Sequence, residues 1–198
     1  MPRARLLISW SALALALGVP LFAAATSPLL QWRDATYQLA GFAGVLALAL
    51  LLVQPLLAGR LLPGLSAPLS QRAHRGVGAA LVLAVVVHVG GLWVTSPPDV
   101  VDALLLDSPT PFSLWGVIAM WAVFATAGLA LLRRRWRLRP GTWLLCHGSL
   151  ATVIVAGTVT HAVLIEGTMG TVSKIAFCVL VAAASGTVLF RSVRRALN

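Results

Sequence analysis

Acidic charge is almost missing from this chain: Asp and Glu together number five among 198 residues, against 15 Lys and Arg. Charged residues of both signs make up only 10% of it, where a soluble domain carries about a quarter. A water-soluble globular enzyme is excluded on that ground. Cysteine is nearly absent as well. Cys146 and Cys178 both lie inside apolar runs, so a disulfide scaffold is excluded. The C-x-x-C-H pattern of covalent haem attachment is not present. Lysine occurs once, at Lys174. What fills the chain is apolar: 59% hydrophobic residues and a mean hydropathy of +0.93, which excludes disorder. The formal charge of +10 would suit a nucleic-acid partner. Such a footprint gathers basic residues on one solvated face, whereas these arginines sit in short clusters between long apolar runs. No nucleic-acid partner is expected.

A bilayer-crossing helix needs about 20 mostly apolar residues. Six runs qualify, near 6–25, 37–57, 71–95, 112–132, 141–164 and 171–190. Breakers separate them: Thr26-Ser27-Pro28, Pro63-Gly64 with Pro68, Pro97-Pro98, Pro109 with Pro111, Pro140-Gly141, and Gly167 with Gly170. No linker is long enough for a second domain. The expected fold is all-α, one six-helix transmembrane bundle covering residues 1–198.

Charge sets its expected orientation. Arg3 and Arg5, then Arg60, Arg72 and Arg75, then Arg133, Arg134, Arg135, Arg137 and Arg139, then Arg191, Arg194 and Arg195 fall on one side. The other side holds Arg33 with Asp34, then Asp99, Asp102 and Asp107, then Glu166 near Lys174. Positively charged loops stay cytoplasmic, so both termini are expected inside. Trp10, Trp136 and Trp143 near inner ends, and Trp32, Trp93 and Trp115 near outer ends, form the matching interfacial belts. The first run ends in Ala23-Ala24-Ala25 and resembles a signal peptide. Its apolar stretch exceeds the usual h-region, which favours an uncleaved span. Composition rich in Ala, Leu and Arg points to a GC-rich bacterium and its inner membrane.

Four histidines remain, two in the third run and two in the fifth. His74 and His88 are 14 residues apart, and so are His147 and His161. Fourteen residues bring both members of a pair to within about 40° on one helix face, about 21 Å apart along the axis. The third and fifth runs point the same way, so His74 is level with His147 and His88 with His161. Zinc usually takes three or four protein ligands; each level offers two, with no carboxylate or thiolate alongside. Two histidines from facing bundle helices suit axial ligation of a haem iron. The expectation is two bis-histidine haems passing electrons across the membrane.

Small residues let a flat macrocycle approach a helix, which gives Gly76, Gly78, Gly90, Gly91, Gly148 and Gly157 a role. Propionates need cations or donors. Arg72 and Arg75 are candidates on the inner side; Trp93 and Ser96, with Arg33 and Thr95, on the outer. Those arginines read first as topology signals and second as propionate clamps. Cys146 points about 100° away from His147 and reads as packing, as do Trp121 and Phe124. The outer aspartates read as a solvated acidic loop.

The His74-Arg75-x-x-Gly78…His88 segment and the Trp143-x-x-x-His147…His161 segment, set on six helices, resemble the ferric reductase-like transmembrane domain. That superfamily includes ferric reductases, NADPH oxidases and the haem-binding membrane subunit of bacterial methionine-sulfoxide repair. The resemblance implies two b-type haems, one on His74 and His147 and one on His88 and His161. It also implies an oxidoreductase electron-transfer role, with ferric iron, oxygen or a periplasmic redox protein as acceptor. Many relatives continue into flavin and nicotinamide domains. Here about eight residues follow the last run, and no G-x-G-x-x-G fingerprint occurs. The electron donor is therefore expected on a separate flavin reductase, a quinol or a partner subunit. The rival readings are a quinol-linked cytochrome b, and a haem-free transporter or assembly factor that uses its histidines as proton relays or helix contacts.

Overall fold

The computed structural model describes residues 3–197. The side chains of Val193, Arg195, Ala196 and Leu197 fall outside that description, and with them the charge assigned to Arg195. All regular structure among the described residues is helical: α1 (Arg3–Ala25), a 3-10 turn (Pro28–Leu30), α2 (Ala35–Ala58), α3 (Ala67–Thr95), α4 (Pro97–Leu104), α5 (Pro111–Leu132), α6 (Pro140–Leu164) and α7 (Thr171–Leu197). All of these except α4 and the 3-10 turn are long and apolar enough to cross a membrane, which gives six spans. The protein is a multi-pass membrane protein.

The breakers work as helix starts as much as stops. Proline lacks the N–H that a first turn leaves unpaired anyway, and its fixed φ suits that turn. Proline accordingly stands in the first turn of α3, α4, α5 and α6. Asp34 caps α2 by accepting from Tyr37 N at 2.9 Å, and Ser66 caps α3 by accepting from Leu69 N. Gly64 and Gly170 turn the chain at φ of 85° and 68°. One element departs from the expected pattern. Pro97-Pro98, read as a plain linker, opens the short helix α4, which buries Val100 and leaves Asp99 and Asp102 exposed.

Two helical hairpins form the frame. α2 packs along α3, and α5 along α6. α7 closes against both α2 and α6, and α1 rests on α2 and α7. α2 is the central rod: half of its apolar window is buried, against 11% for α3 and 11% for α6. Leu48, Ala49 and Leu52 of α2 meet Phe177 and Val181 of α7 in the core, with Ala122 and Val123 of α5. The histidine-bearing helices α3 and α6 are not packed backbone against backbone. Each lies on its own hairpin partner instead. Outward faces carry Leu7, Phe22, Leu83, Val94, Leu131 and Val172, side chains suited to lipid.

Polar groups within the spans are mostly satisfied internally, as hydrocarbon surroundings demand. Thr126, Thr152 and Thr187 donate to the carbonyl four residues back. Ser70, fully buried, donates to Leu57 O at 2.7 Å and ties α3 to α2. Lys174 is buried, and its Nζ donates to Val163 O at 3.2 Å and Ile165 O at 2.6 Å. The chain's single lysine thus caps the carbonyl end of α6 from α7.

Candidate functional site

His74 and His147 come together from α3 and α6. Their ring centroids stand 6.3 Å apart at an interplanar angle of 70°. His74 is held from α2: its Nδ1 lies 3.3 Å from Gln54 O, and Gln54 Nε2 donates back to His74 O at 3.3 Å. Gly78 makes that exchange possible, because a Cβ there would stand 3.1 Å from Gln54 Nε2. His147 is held differently. Its ring stacks on Trp143, one turn earlier, at 4.8 Å and 18°. The Arg133 guanidinium lies 4.4 Å over the other ring of that stack, Trp143. Two buried polar atoms among the described residues lack a partner, and both belong here: Gln54 Oε1 and His147 Nδ1.

At the other level, His88 and His161 are seated by one shared device. His88 Nδ1 lies 2.8 Å from Ala40 O of α2, and His161 Nδ1 lies 2.9 Å from Phe112 O of α5. One turn beyond each acceptor is a glycine. A Cβ on Gly44 would stand 2.9 Å from His88 Nδ1, and one on Gly116 would stand 2.7 Å from His161 Nδ1. Only a bare backbone lets each ring lie so close. The Phe112 ring also meets His161 edge-on at 5.7 Å. The ring contact found between His74 and His147 has no counterpart between His88 and His161 among the described residues.

These hydrogen bonds assign tautomers. A carbonyl oxygen can only accept, so Nδ1 of His88, His161 and His74 carries the proton and Nε2 keeps its lone pair. Metal-bound histidines characteristically donate their other ring N–H to a carbonyl or carboxylate. Three of the four imidazoles therefore carry their proton on Nδ1 and leave the Nε2 lone pair unprotonated. No three His, Cys, Asp or Glu side chains converge among the described residues.

The remaining expectations fare unevenly. Arg72 and Arg75 are exposed on α3, flanking His74 in sequence. Trp93 is exposed, and Ser96 ends α3 with its N–H bonded to Leu92 O. Two outer candidates are committed elsewhere: Arg33 lies over the Tyr37 ring at 4.4 Å, and the Thr95 hydroxyl turns back to Gly91 O at 3.2 Å. The glycines need correction. A Cβ on Gly91 would stand 2.8 Å from Ala40 Cβ and one on Gly157 would stand 2.9 Å from Trp115 O, so these serve hairpin packing; a Cβ on Gly148 would meet Leu189 of α7, and of these six only Gly76 and Gly90 would meet nothing nearby. Sequence reasoning passed over Gly44, Gly116, Gln54 and the carbonyls of Ala40 and Phe112. Ala40-x-x-x-Gly44 is a small-xxx-small pattern that pointed to close approach on α2.

A polytopic bundle that seats four histidines from two hairpins defines a class, that of integral membrane proteins built around intramembrane imidazoles. The chain belongs to the family described as ferric reductase like transmembrane component, whose profile matches residues 43–158. The match runs from α2 to α6 and includes His74, His88 and His147, with Gly44 and Gly116; His161 lies just beyond it. Membership makes the protein a membrane redox component. No curated protein and no solved structure matches the chain.

Proposed function

We propose that the protein is a di-haem b electron carrier of a bacterial inner membrane, with one haem on His74 and His147 and the other on His88 and His161. The inner imidazole pair carries this reading. Metal–imidazole bonds run at about 2.0–2.1 Å for zinc, and two rings bonded at such lengths to opposite sides of one metal have centres roughly 6 Å apart. The observed 6.3 Å agrees. The carbonyl-bound Nδ1 atoms at the other level supply the second support, since they leave Nε2 of both His88 and His161 free to ligate. When bound, the haems supply one-electron ferric/ferrous chemistry.

The chain's own contribution is to orient four imidazoles and to exclude water around them. In this reading Arg72 and Arg75 serve propionates on the cytoplasmic side, and Trp93 and Ser96 serve those on the outer side. By the charge alternation of its loops both termini are cytoplasmic, and electrons enter at the His74/His147 level. They leave from the His88/His161 level to ferric iron, oxygen or a periplasmic redox protein. The donor is a separate flavin reductase or partner subunit. A second reading has an observation of its own. An open groove of about 690 Å³ between α5 and α6 is lined by Trp136, Ser149 and Cys146, the last next in sequence to His147. That volume is within the range of small-molecule sites, and a membrane quinol entering there would make the protein a quinol-linked cytochrome b.

Spectroscopy of the purified protein tests both. The expected result is a reducible Soret and alpha band with two haems per chain. His74→Ala or His147→Ala removes one, and His88→Ala or His161→Ala removes the other. A colourless protein overturns the redox readings in favour of a transporter or assembly factor. Haem reduction by a short-chain quinol would move the donor assignment to the lipid pool.

A further inference from the structure

Resting on the di-haem reading, a second step follows from how unequally the two histidine levels are served. The α2–α3 and α5–α6 hairpins share one plan. Ala40 O and Gly44 serve His88 as Phe112 O and Gly116 serve His161, with acceptor and histidine separated by 48 residues in one hairpin and 49 in the other. At the other level the plan breaks. His74 reaches Gln54 O only at 3.3 Å, and His147 Nδ1 is buried without a partner. The α5 position matching Gln54 is Thr126 (offset 112 − 40 = 72), whose hydroxyl turns back to Ala122 O.

A ring that donates Nδ1–H to a carbonyl becomes a more basic ligand and favours the more positive state of the metal it holds. His88 and His161 both make that bond at short range. At the other level, a fixed cation acts in the opposite sense. Arg133 sits 4.4 Å over Trp143, which stacks on His147, and a nearby positive charge favours the reduced metal. On the His161 side, the Lys174 ammonium is bonded to the carbonyl end of α6, where the negative end of the helix dipole opposes its charge.

We infer that His88 and His161 are the stronger electron donors and hold their iron at a lower reduction potential than His74 and His147 do. An electron entering the protein then rests at the His74/His147 level. A donor that fills both levels must be more strongly reducing than the His88/His161 couple.

Potentiometric titration of the haem-loaded full chain, read at the alpha band, tests this. Two one-electron steps are expected. His161→Ala, or His88→Ala, removes the lower-potential step and leaves the higher one in place. Arg133→Gln, a change at an exposed position, shifts only the higher step, and shifts it downward. The inference is overturned if the step surviving His161→Ala is the lower one, if the wild type titrates as one unresolved step, or if Arg133→Gln moves the lower step. A colourless wild type overturns the di-haem reading beneath it, so the two failures are told apart.

Discussion

An imidazole in hydrocarbon must be told where to point, and in this protein the instruction comes from backbone. His88 and His161 each lie against a glycine and bond the carbonyl one turn earlier on the neighbouring helix. The four histidines themselves were legible in the sequence, because their 14-residue spacing puts each pair on one helix face. Their supports were not legible, because a backbone acceptor leaves no side-chain signature and its identity depends on how two helices register. The glycines are the testable part. In Gly116→Ala the added methyl would stand 2.7 Å from His161 Nδ1, closer than a Cβ contact allows, so the ring must move off its acceptor. The expected outcome is loss of the His88/His161 haem with the other retained, seen as a fall from two haems per chain toward one. Gly44→Ala should do the same from the other hairpin. Two haems with an unchanged spectrum in both variants would show that the cradle does not position the ligands.

Helices of this chain were visible as elements because each span is a long apolar run bounded by Pro, Gly, Ser or Asp. The short helix α4 escaped for a physical reason. It has eight residues, too few to make a hydropathy signal, and its two leading prolines read as a break although proline at a first turn starts a helix. Pairing between elements was less visible still. Gly91 and Gly157 sit in runs where any small residue looks plausible, and only packing shows that one meets Ala40 and the other Trp115 O. That difference in environment separates two otherwise similar substitutions. Gly157→Ala would put a Cβ 2.9 Å from Trp115 O and 3.1 Å from Ala119 Cβ, forcing α5 off α6, whereas Gly186→Ala meets nothing within 4 Å. Overpacking of this kind typically costs about 1–3 kcal/mol. Gly157→Ala should therefore lower the thermal midpoint in detergent and weaken the Phe112–His161 bond along with it, while Gly186→Ala leaves both as they were. Equal behaviour of the two would mean that the hairpin tolerates a wider α5–α6 spacing than its contacts indicate.

For the molecule as a whole, we propose that orientation is set by loop charge rather than by packing. The hairpins would fit together equally well in either direction across a bilayer. What distinguishes the directions is the loop between α5 and α6, where Arg133, Arg134, Arg135, Arg137 and Arg139 are all exposed. Trp10 Nε1 of α1 donates to Pro63 O in the α2–α3 loop at 3.2 Å, which puts the N-terminal part of α1 at the same end of the bundle as that loop. Each arginine brought to the centre of a span costs about 2.5–3.5 kcal/mol on insertion scales, so a loop of five is a strong anchor. None of the five touches a histidine directly, although Arg133 acts on His147 through the Trp143 ring. Exchanging Arg134, Arg135, Arg137 and Arg139 for Gln, with Arg133 kept, separates anchoring from cofactor binding. Reporter fusions in the α5–α6 loop should then show a mixed or inverted topology, while the chains that insert correctly keep both haems and both potentials. An unaltered topology with one haem lost would instead make these arginines part of the cofactor site, and would leave the membrane orientation resting on Arg60, on Arg72 and Arg75 at the start of α3, and on the arginines near the two termini.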